Sequence, residues 1–128
     1  MATLLIVDDE VDICEIVEDT FKQEKGFVVL KAFNGPDGVD LAKAHHPDVI
    51  LLDIKLYGFM DGIEVLGEIK RYLPKCKVII ITGFSDNVTE NETKNLGAFS
   101  YLEKPFNPPQ IVEIVKEALQ KKWSEESG

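Results

Sequence analysis

Leu4-Leu5-Ile6-Val7-Asp8-Asp9 is the stretch that decides the fold, because an uninterrupted apolar run stands directly before two acids. A strand with one solvent-exposed face alternates apolar and polar residues. A continuous apolar run therefore indicates a strand in a parallel sheet whose two faces are both buried. Further strand-like runs follow along the chain. They are Phe27-Val28-Val29-Leu30, Val49-Ile50-Leu51-Leu52, Val78-Ile79-Ile80-Ile81 and the weaker Ser100-Tyr101-Leu102.

Segments with the apolar period of an amphipathic helix follow each of these runs. They are residues 11–24, 36–44, 62–72, 85–96 and 108–122, the last with Asn107 as its N-cap and Pro108 at its first position. Strict alternation of strands and helices predicts a doubly wound α/β domain with right-handed crossovers. Val88 and Leu96 are the only large apolar residues of the fourth segment, so a short or mobile helix is expected there.

The length of 128 residues corresponds to one domain. We predict that this domain covers residues 1–123 and that residues 124–128 form a frayed tail. Apolar residues make up 45% of the chain and charged residues 29%, which is the composition of a globular protein rather than a disordered one.

The charge balance excludes several classes of partner. Lys and Arg number 14 against 23 Asp and Glu, a net charge of -9, which argues against direct binding to nucleic acid or to an anionic membrane. No apolar run approaches the roughly 20 residues of a membrane span. The acids at positions 8–10 argue against a signal peptide. Only two cysteines occur, Cys14 and Cys76, and they are far apart and outside any CxxC spacing. A disulfide framework or a structural zinc site is therefore not expected, and a reducing cytoplasm is the expected location.

Polar residues interrupt the pattern where the predicted strands end. Asp8 and Asp9 follow the first strand, Asp53 the third, Thr82 ends the fourth, and Lys104 comes just after the fifth. The carboxyl ends of parallel strands meet at one edge of the sheet, where ligands of open α/β folds bind. We therefore expect these side chains to share one site.

Three carboxylates at one edge repel each other, at about 4 kcal/mol for each pair about 4 Å apart and an effective dielectric constant of about 20. One lysine does not offset three such charges, so the cluster predicts a hard cation, and Mg²⁺ fits the oxygen ligands. A metal beside a carboxylate, a hydroxyl and an ammonium is suited to phosphoryl transfer.

This set of residues resembles the receiver domain of two-component response regulators, over about residues 3–122. The matching segments are Ile6-Val7-Asp8-Asp9, Leu51-Leu52-Asp53, Ile80-Ile81-Thr82-Gly83 and Tyr101-Leu102-Glu103-Lys104-Pro105-Phe106. The resemblance implies a flavodoxin-like (βα)₅ fold with a parallel five-stranded sheet in the order 2-1-3-4-5.

The resemblance also implies roles for individual residues. Asp53 would accept a phosphoryl group from a histidine kinase or phosphotransfer protein. Asp9 and Asp53 would coordinate Mg²⁺ directly, Asp8 through water, and the backbone carbonyl of Lys55 would be a further ligand. Thr82 and Lys104 would bind the acyl phosphate.

The implied output is a conformational change rather than chemistry on another molecule. Tyr101 and Thr82 would act as switch residues, and the surface of the fourth helix, fifth strand and fifth helix would be read by a downstream protein or effector domain. The chain would catalyse only its own phosphorylation and dephosphorylation.

The chain departs from the receiver pattern at two places. Asp61-Gly62 lie eight and nine residues after Asp53, one further than is usual, and Gly58 stands about where a proline is common. In the fourth helix, Thr93 occupies a position where receivers usually have alanine.

Three other classes of protein fit these residues less well. A haloacid-dehalogenase-type phosphatase would carry an acid two residues after its nucleophile, where this chain has Lys55. A flavin-binding module would not place Asp8-Asp9-Glu10 where it holds a phosphate. A receiver-like interaction domain that is never phosphorylated would usually lack one of the acids.

Overall fold

The computed structural model describes residues 1–83 and 86–127. Strands and helices alternate along them as the sequence predicts, with ends that differ by a few residues. The strands are β1 (Ala2–Val7), β2 (Phe27–Ala32), β3 (Val49–Asp53), β4 (Lys77–Thr82) and β5 (Ser100–Glu103). The helices are α1 (Val11–Lys22), α2 (Gly35–His45), α3 (Gly62–Tyr72), α4 (Asn87–Asn95) and α5 (Pro108–Ser127).

The strands form one parallel sheet in the order β2-β1-β3-β4-β5, which confirms the predicted order. The winding direction reverses between β1 and β3, where Val7 pairs with Leu52. A crevice opens at such a reversal, on the carboxyl side of the strands. The residues that follow Val7 and Leu52 therefore lie at the position where ligands bind in folds of this class.

Both faces of the sheet are covered by helices. Leu5, Ile50 and Ile80 point to the face that packs against α2 and α3, whereas their neighbours along each strand pack against α1 and α5. Burying an aliphatic side chain of this size contributes about 1.5–3 kcal/mol. The two-sided burial explains why β1, β3 and β4 read as continuous apolar runs.

The thiols of Cys14 and Cys76 belong to these two cores. Both are free and buried, and burial raises the pKa of each to about 12. They pack as small apolar groups, as expected from the sequence.

Capping side chains fix the starts of several helices. Asn34 accepts a hydrogen bond from the Asp37 amide at the start of α2, and Asp86 accepts one from the Thr89 amide at the start of α4. At α5 the predicted N-cap is confirmed, because the Asn107 side chain accepts from the Gln110 amide at 3.0 Å. Such caps contribute about 1 kcal/mol each.

The helix α4 is the shortest of the described helices, with nine residues. Thr93 is its buried residue, and its hydroxyl donates to the Glu90 carbonyl within the same helix. Val88 is 76% exposed, so it does not anchor the helix to the sheet. The expectation of a short helix is confirmed, although Ser85 at the start of the predicted segment lies outside the described residues.

The tail differs from the prediction of a frayed end over 124–128. The helix α5 continues to Ser127, and Gly128 lies outside the described residues. Glu125 forms an ion pair with Lys77 at the start of β4, and Lys122 pairs with Glu126 and with Asp48. Exposed ion pairs contribute little individually. Here they extend a helix that is already anchored by Val115 and Leu119, so the last turns stay helical.

No helix among residues 1–83 and 86–127 combines the length and the apolar composition that crossing a bilayer requires.

The start of α3 lies unusually close to the end of β3. Asp61 caps the helix in a reciprocal arrangement with Glu64, and the Gly62 amide donates to the Ile54 carbonyl at 3.2 Å. A Cβ atom at Gly62 would lie 2.6 Å from the carbonyl oxygen of Asp53, well inside van der Waals contact. Glycine is therefore required at this position for steric reasons.

We predict that Gly62→Ala destabilises the domain by about 2 kcal/mol or more, because the methyl group meets backbone that cannot yield. Gly67→Ala in the same helix is the matched control. A Cβ atom there meets nothing within 4 Å, so this change should stabilise by up to about 1 kcal/mol. Urea unfolding of both variants measures the difference, and equal stabilities would contradict the steric requirement.

Candidate functional site

The carboxyl edge of the sheet holds the side chains that the sequence singles out. Backbone hydrogen bonds fix the chain where it leaves the strands. The Asp8 amide donates to the Ala32 carbonyl of β2 at 3.0 Å, and the Lys104 amide donates to the Thr82 carbonyl of β4 at 2.6 Å. These bonds bring residues almost a hundred positions apart to the same edge.

Lys104 occupies the centre of the site. Its ammonium nitrogen lies 2.8 Å from Asp8 Oδ2, 2.9 Å from Glu10 Oε1 and 3.2 Å from Asp53 Oδ2. The Asp8 side chain is fully buried and that of Asp53 is 6% exposed, whereas the Glu10 side chain is 60% exposed. The ammonium therefore bridges two carboxylates on the floor of the site and one at its rim.

Each buried aspartate divides its oxygens between backbone and lysine. Asp8 Oδ1 accepts from the Glu10 amide at 2.8 Å, and Asp53 Oδ1 accepts from the Lys55 amide at 2.9 Å. The second oxygen of each carboxylate faces Lys104. This arrangement fixes the orientation of both side chains.

Burial and charge shift the pKa values of the groups in the site. Burial raises the pKa of Asp8 to about 6, and the nearby charge of Asp53 adds to the effect against the hydrogen bonds from Lys104 and the Glu10 amide. Burial alone would lower the pKa of Lys104, but its bonds to Asp8 and Glu10 and the charge of Asp53 outweigh burial and raise it. Lys104 is thus a permanent cation facing three acids.

The carboxylates of Asp8, Glu10 and Asp53 lie close enough to share an ion, since one oxygen from each falls within 4.8 Å of the others. Three carboxylates against one ammonium leave an excess of negative charge, and oxygen donors are those that Mg²⁺ prefers. The donor set therefore fits the ion that the sequence predicts.

Asp9 and Lys55 lie at the mouth of the same site. Together with Glu10, Tyr57 and Lys104 they line an opening of about 390 Å³ above Asp53. The Asp9 carboxylate is not part of the group of three close oxygens. The structure thus brings Asp8, Asp53 and Lys104 into contact and places Asp9 and Lys55 around them.

Thr82 and Tyr101 lie on neighbouring strands behind this opening. Thr82 is fully buried at the end of β4, and Tyr101 on β5 pairs in register with Ile80. The Tyr101 hydroxyl is buried without a hydrogen bond at standard distance to a described residue. Burial raises the pKa of Tyr101, and the nearby Thr82 hydroxyl works against that rise. The two predicted switch residues are therefore neighbours.

Glu10 is the site residue that the sequence did not single out. It follows the two predicted acids and takes the N-cap position of α1, where Ser, Thr, Asp or Asn would usually accept a backbone amide. Its side chain makes no such cap and pairs with Lys104 instead. The only signal in the sequence was a third consecutive acid, which has the same appearance whether it caps a helix or contacts a lysine.

Comparisons with known proteins agree with this geometry. The family model of the response regulator receiver domain matches residues 4–116. Sporulation initiation phosphotransferase F of Bacillus subtilis is 37% identical over 116 residues, which cover 91% of this chain and 92% of that protein.

Solved structures are similar over nearly the whole chain. A CheY-like receiver domain protein from Methanospirillum hungatei superimposes with a TM-score of 0.92 at 30% identity, covering 98% of both chains. The receiver domain of NtrX from Brucella abortus gives a TM-score of 0.85 at 31% identity, covering 91% of this chain and 98% of that one. The chain therefore belongs to the response regulator receiver domains, the phosphorylation-dependent signalling switches of two-component systems.

Proposed function

We propose that Asp53 is the phosphoryl acceptor of this receiver domain. The observation that carries the proposal is the position of its carboxylate, which ends a central strand, contacts Lys104 at 3.2 Å and lines the opening of the site. The donor would be a phosphohistidine of a histidine kinase or of a phosphotransfer protein. The similarity to a protein named as a phosphotransferase supports this class of reaction.

The transfer forms one bond and breaks one. An oxygen of Asp53 bonds to phosphorus while the phosphorus–nitrogen bond of the phosphohistidine breaks, and its electron pair leaves with the imidazole. Lys104 is the cation that faces the oxygens of the arriving group, and Thr82 offers a hydroxyl from the neighbouring strand end. Dephosphorylation is hydrolysis, in which a water oxygen bonds to phosphorus while the bond between phosphorus and the Asp53 oxygen breaks, releasing inorganic phosphate and the free carboxylate. The domain would catalyse only these two reactions on itself.

Asp9 and Asp53 would hold Mg²⁺ directly, with Asp8 acting through water and the Lys55 carbonyl as a further ligand. The bound ion would neutralise charge on the phosphoryl oxygens during transfer. The excess negative charge around Lys104 supports this assignment, since a divalent cation relieves it.

The output would pass through Thr82 and Tyr101 to the surface of α4, β5 and α5. A phosphoryl group on Asp53 changes the charge next to Thr82, which adjoins the buried Tyr101 hydroxyl. The helix α4 has few anchors and is therefore the element that shifts at the smallest cost. We infer that a downstream protein or effector domain reads this surface.

Direct contact with nucleic acid or membrane lipid is not part of the proposal, because the net charge of -9 opposes both. The cytoplasmic location remains a prediction, which the two free buried thiols support.

Incubation with Mg²⁺ and acetyl phosphate should add a single phosphoryl group, detected by intact-mass measurement. Asp53→Ala should remove the addition completely, because, among the described carboxylates that contact Lys104, Asp53 is the one that both ends a strand and lines the opening. Asp12→Asn, which neutralises an exposed acid on the first turn of α1, serves as the control and should be phosphorylated like the wild type. Phosphorylation of Asp53→Ala at the wild-type level would exclude Asp53 as the acceptor.

Hydrogen exchange should show α4 as the least protected helix and the one that responds to phosphorylation. We expect its amides to exchange at least about tenfold faster than those at 111–119 in α5, because α4 buries little apolar surface. Phosphorylation should change exchange in α4 and β5 and leave α2 unaffected. Thr82→Ala should weaken this response while Asp53 is still phosphorylated. Exchange in α4 as slow as in α5, and unchanged by phosphorylation, would contradict the proposed output.

The stability of the metal-free domain should reveal the buried charge of Asp8. Its folded-state pKa of about 6 lies above the ordinary 3.8, so the folded state binds the extra proton and stability falls as the pH rises through this interval. Asp8→Asn removes the ionisation. Its stability relative to the wild type should therefore increase between pH 4.5 and pH 7.5, by about 1–2 kcal/mol.

Thermal unfolding of the wild type and Asp8→Asn at both pH values, with a chelator present, measures this change. Asp12→Asn is again the control for the loss of one carboxylate, since the Asp12 side chain is exposed. If the stability difference between wild type and Asp8→Asn is the same at both pH values, burial does not disfavour the ionised Asp8 carboxylate.

A further inference from the structure

The position of Lys104 creates a conflict with metal binding. Its ammonium lies between Asp8 and Asp53, at 2.8 and 3.2 Å, which are two of the carboxylates assigned to the ion. A divalent cation at these carboxylates repels an ammonium in the same space. The lysine must therefore lose part of its contact with Asp8 and Asp53 when the ion binds, yet stay near Asp53 to meet the phosphoryl group.

Glu10 provides the contact that survives this displacement. Among the described residues Lys104 has three ion-pair partners, and Glu10 is the one outside the assigned metal ligands. Its carboxylate lies 2.9 Å from the ammonium at the rim of the site, where Lys104 can remain at the opening above Asp53.

The backbone position of Glu10 fits this role. It is the N-cap of α1, so its Cα is fixed by the helix that follows, and its carbonyl accepts from the Ile13 amide at 3.1 Å. Its side chain does not cap that helix. The side chain is therefore available to Lys104, and its anchor does not move with the loops around the site.

We propose that Glu10 is a positioning residue that retains Lys104 at the mouth of the site when Mg²⁺ binds. This inference rests on the proposed function, and it assigns to Glu10 an effect on the ion that acts through Lys104. A ligand of the ion would affect binding whether or not the lysine is present. The two roles are distinguished by removing the lysine.

A double-mutant cycle on the full chain tests the assignment, with Mg²⁺ alone as the titrant and its dissociation constant measured by calorimetry. Glu10→Gln should weaken Mg²⁺ binding by about fivefold, because the displaced ammonium loses its charged partner. In the Lys104→Met background the same change should weaken binding by a clearly smaller factor, because only the direct attraction between the Glu10 carboxylate and the ion is then lost. Asp12→Asn removes a charge at a nearby exposed position and should alter the affinity by less than about twofold.

Three results would overturn the role of Glu10. The first is a Glu10→Gln variant that binds Mg²⁺ as tightly as the wild type. The second is an equal loss of Mg²⁺ affinity from Glu10→Gln in the Lys104→Met background, which would make Glu10 a ligand of the ion. The third is an equal loss of Mg²⁺ affinity in Asp12→Asn, which would show that the effect of Glu10→Gln comes only from the change in net charge.

The proposed function fails in a different way. Asp9→Ala should abolish Mg²⁺ binding if the assigned ligands are correct. If Asp9→Ala binds Mg²⁺ like the wild type while the Glu10 and Lys104 changes behave as expected, the ligand assignment is wrong and the role of Glu10 stands. If the wild type binds no Mg²⁺, both fail together.

Discussion

The structure depends on the crowding of acidic charge around one ammonium at the carboxyl edge of the sheet. Asp8 is fully buried, Asp53 nearly so, and Lys104 lies within 3.2 Å of both. Taking such charges out of water is costly, and the backbone amides of Glu10 and Lys55 with the lysine offset only part of that cost. The site therefore carries unbalanced negative charge, which favours binding of the proposed cation.

The rest of the fold holds this unfavourable site together. The central strands are buried on both faces, and this hydrophobic burial offsets the free-energy cost of the buried charges at the carboxyl edge. Gly62 lets α3 start against the backbone that carries Asp53, and the capping pair of Asp61 and Glu64 fixes that start. Asp53, the proposed acceptor, therefore ends a strand that is buried on both faces, and such a support holds a reacting group in position.

The opposite property is found at α4. Its buried residue is a threonine whose hydroxyl returns to its own helix, and its largest apolar side chain, Val88, faces solvent. A proposed acceptor on a buried strand beside a weakly anchored α4 suits a switch. A local change of charge at Asp53 would shift α4 because that helix has few contacts to hold it.

Several features could be predicted from the sequence alone because they follow from local patterns. Continuous apolar runs predicted the buried strands, helical periods predicted the helices, and polar residues at or just after the strand ends predicted Asp8, Asp53 and Lys104 as neighbours. The order of the strands rested on the resemblance to receivers, and the sheet confirms it. The sequence did not predict contacts between side chains that are distant along the chain, because local patterns contain no information on them.

Glu10 and the end of α5 are the clearest cases of what only the tertiary structure decided. Glu10 has no assigned role in the sequence, but its side chain contacts Lys104, 94 residues away. The residues 124–127 read as a frayed end, but Glu125 reaches Lys77 on β4. The fold decides which of several possible partners a charged side chain pairs with, because the interaction energy depends on distances that the sequence does not contain. The sequence by itself determined which residues are buried and where charge collects, whereas the fold decided which charges meet.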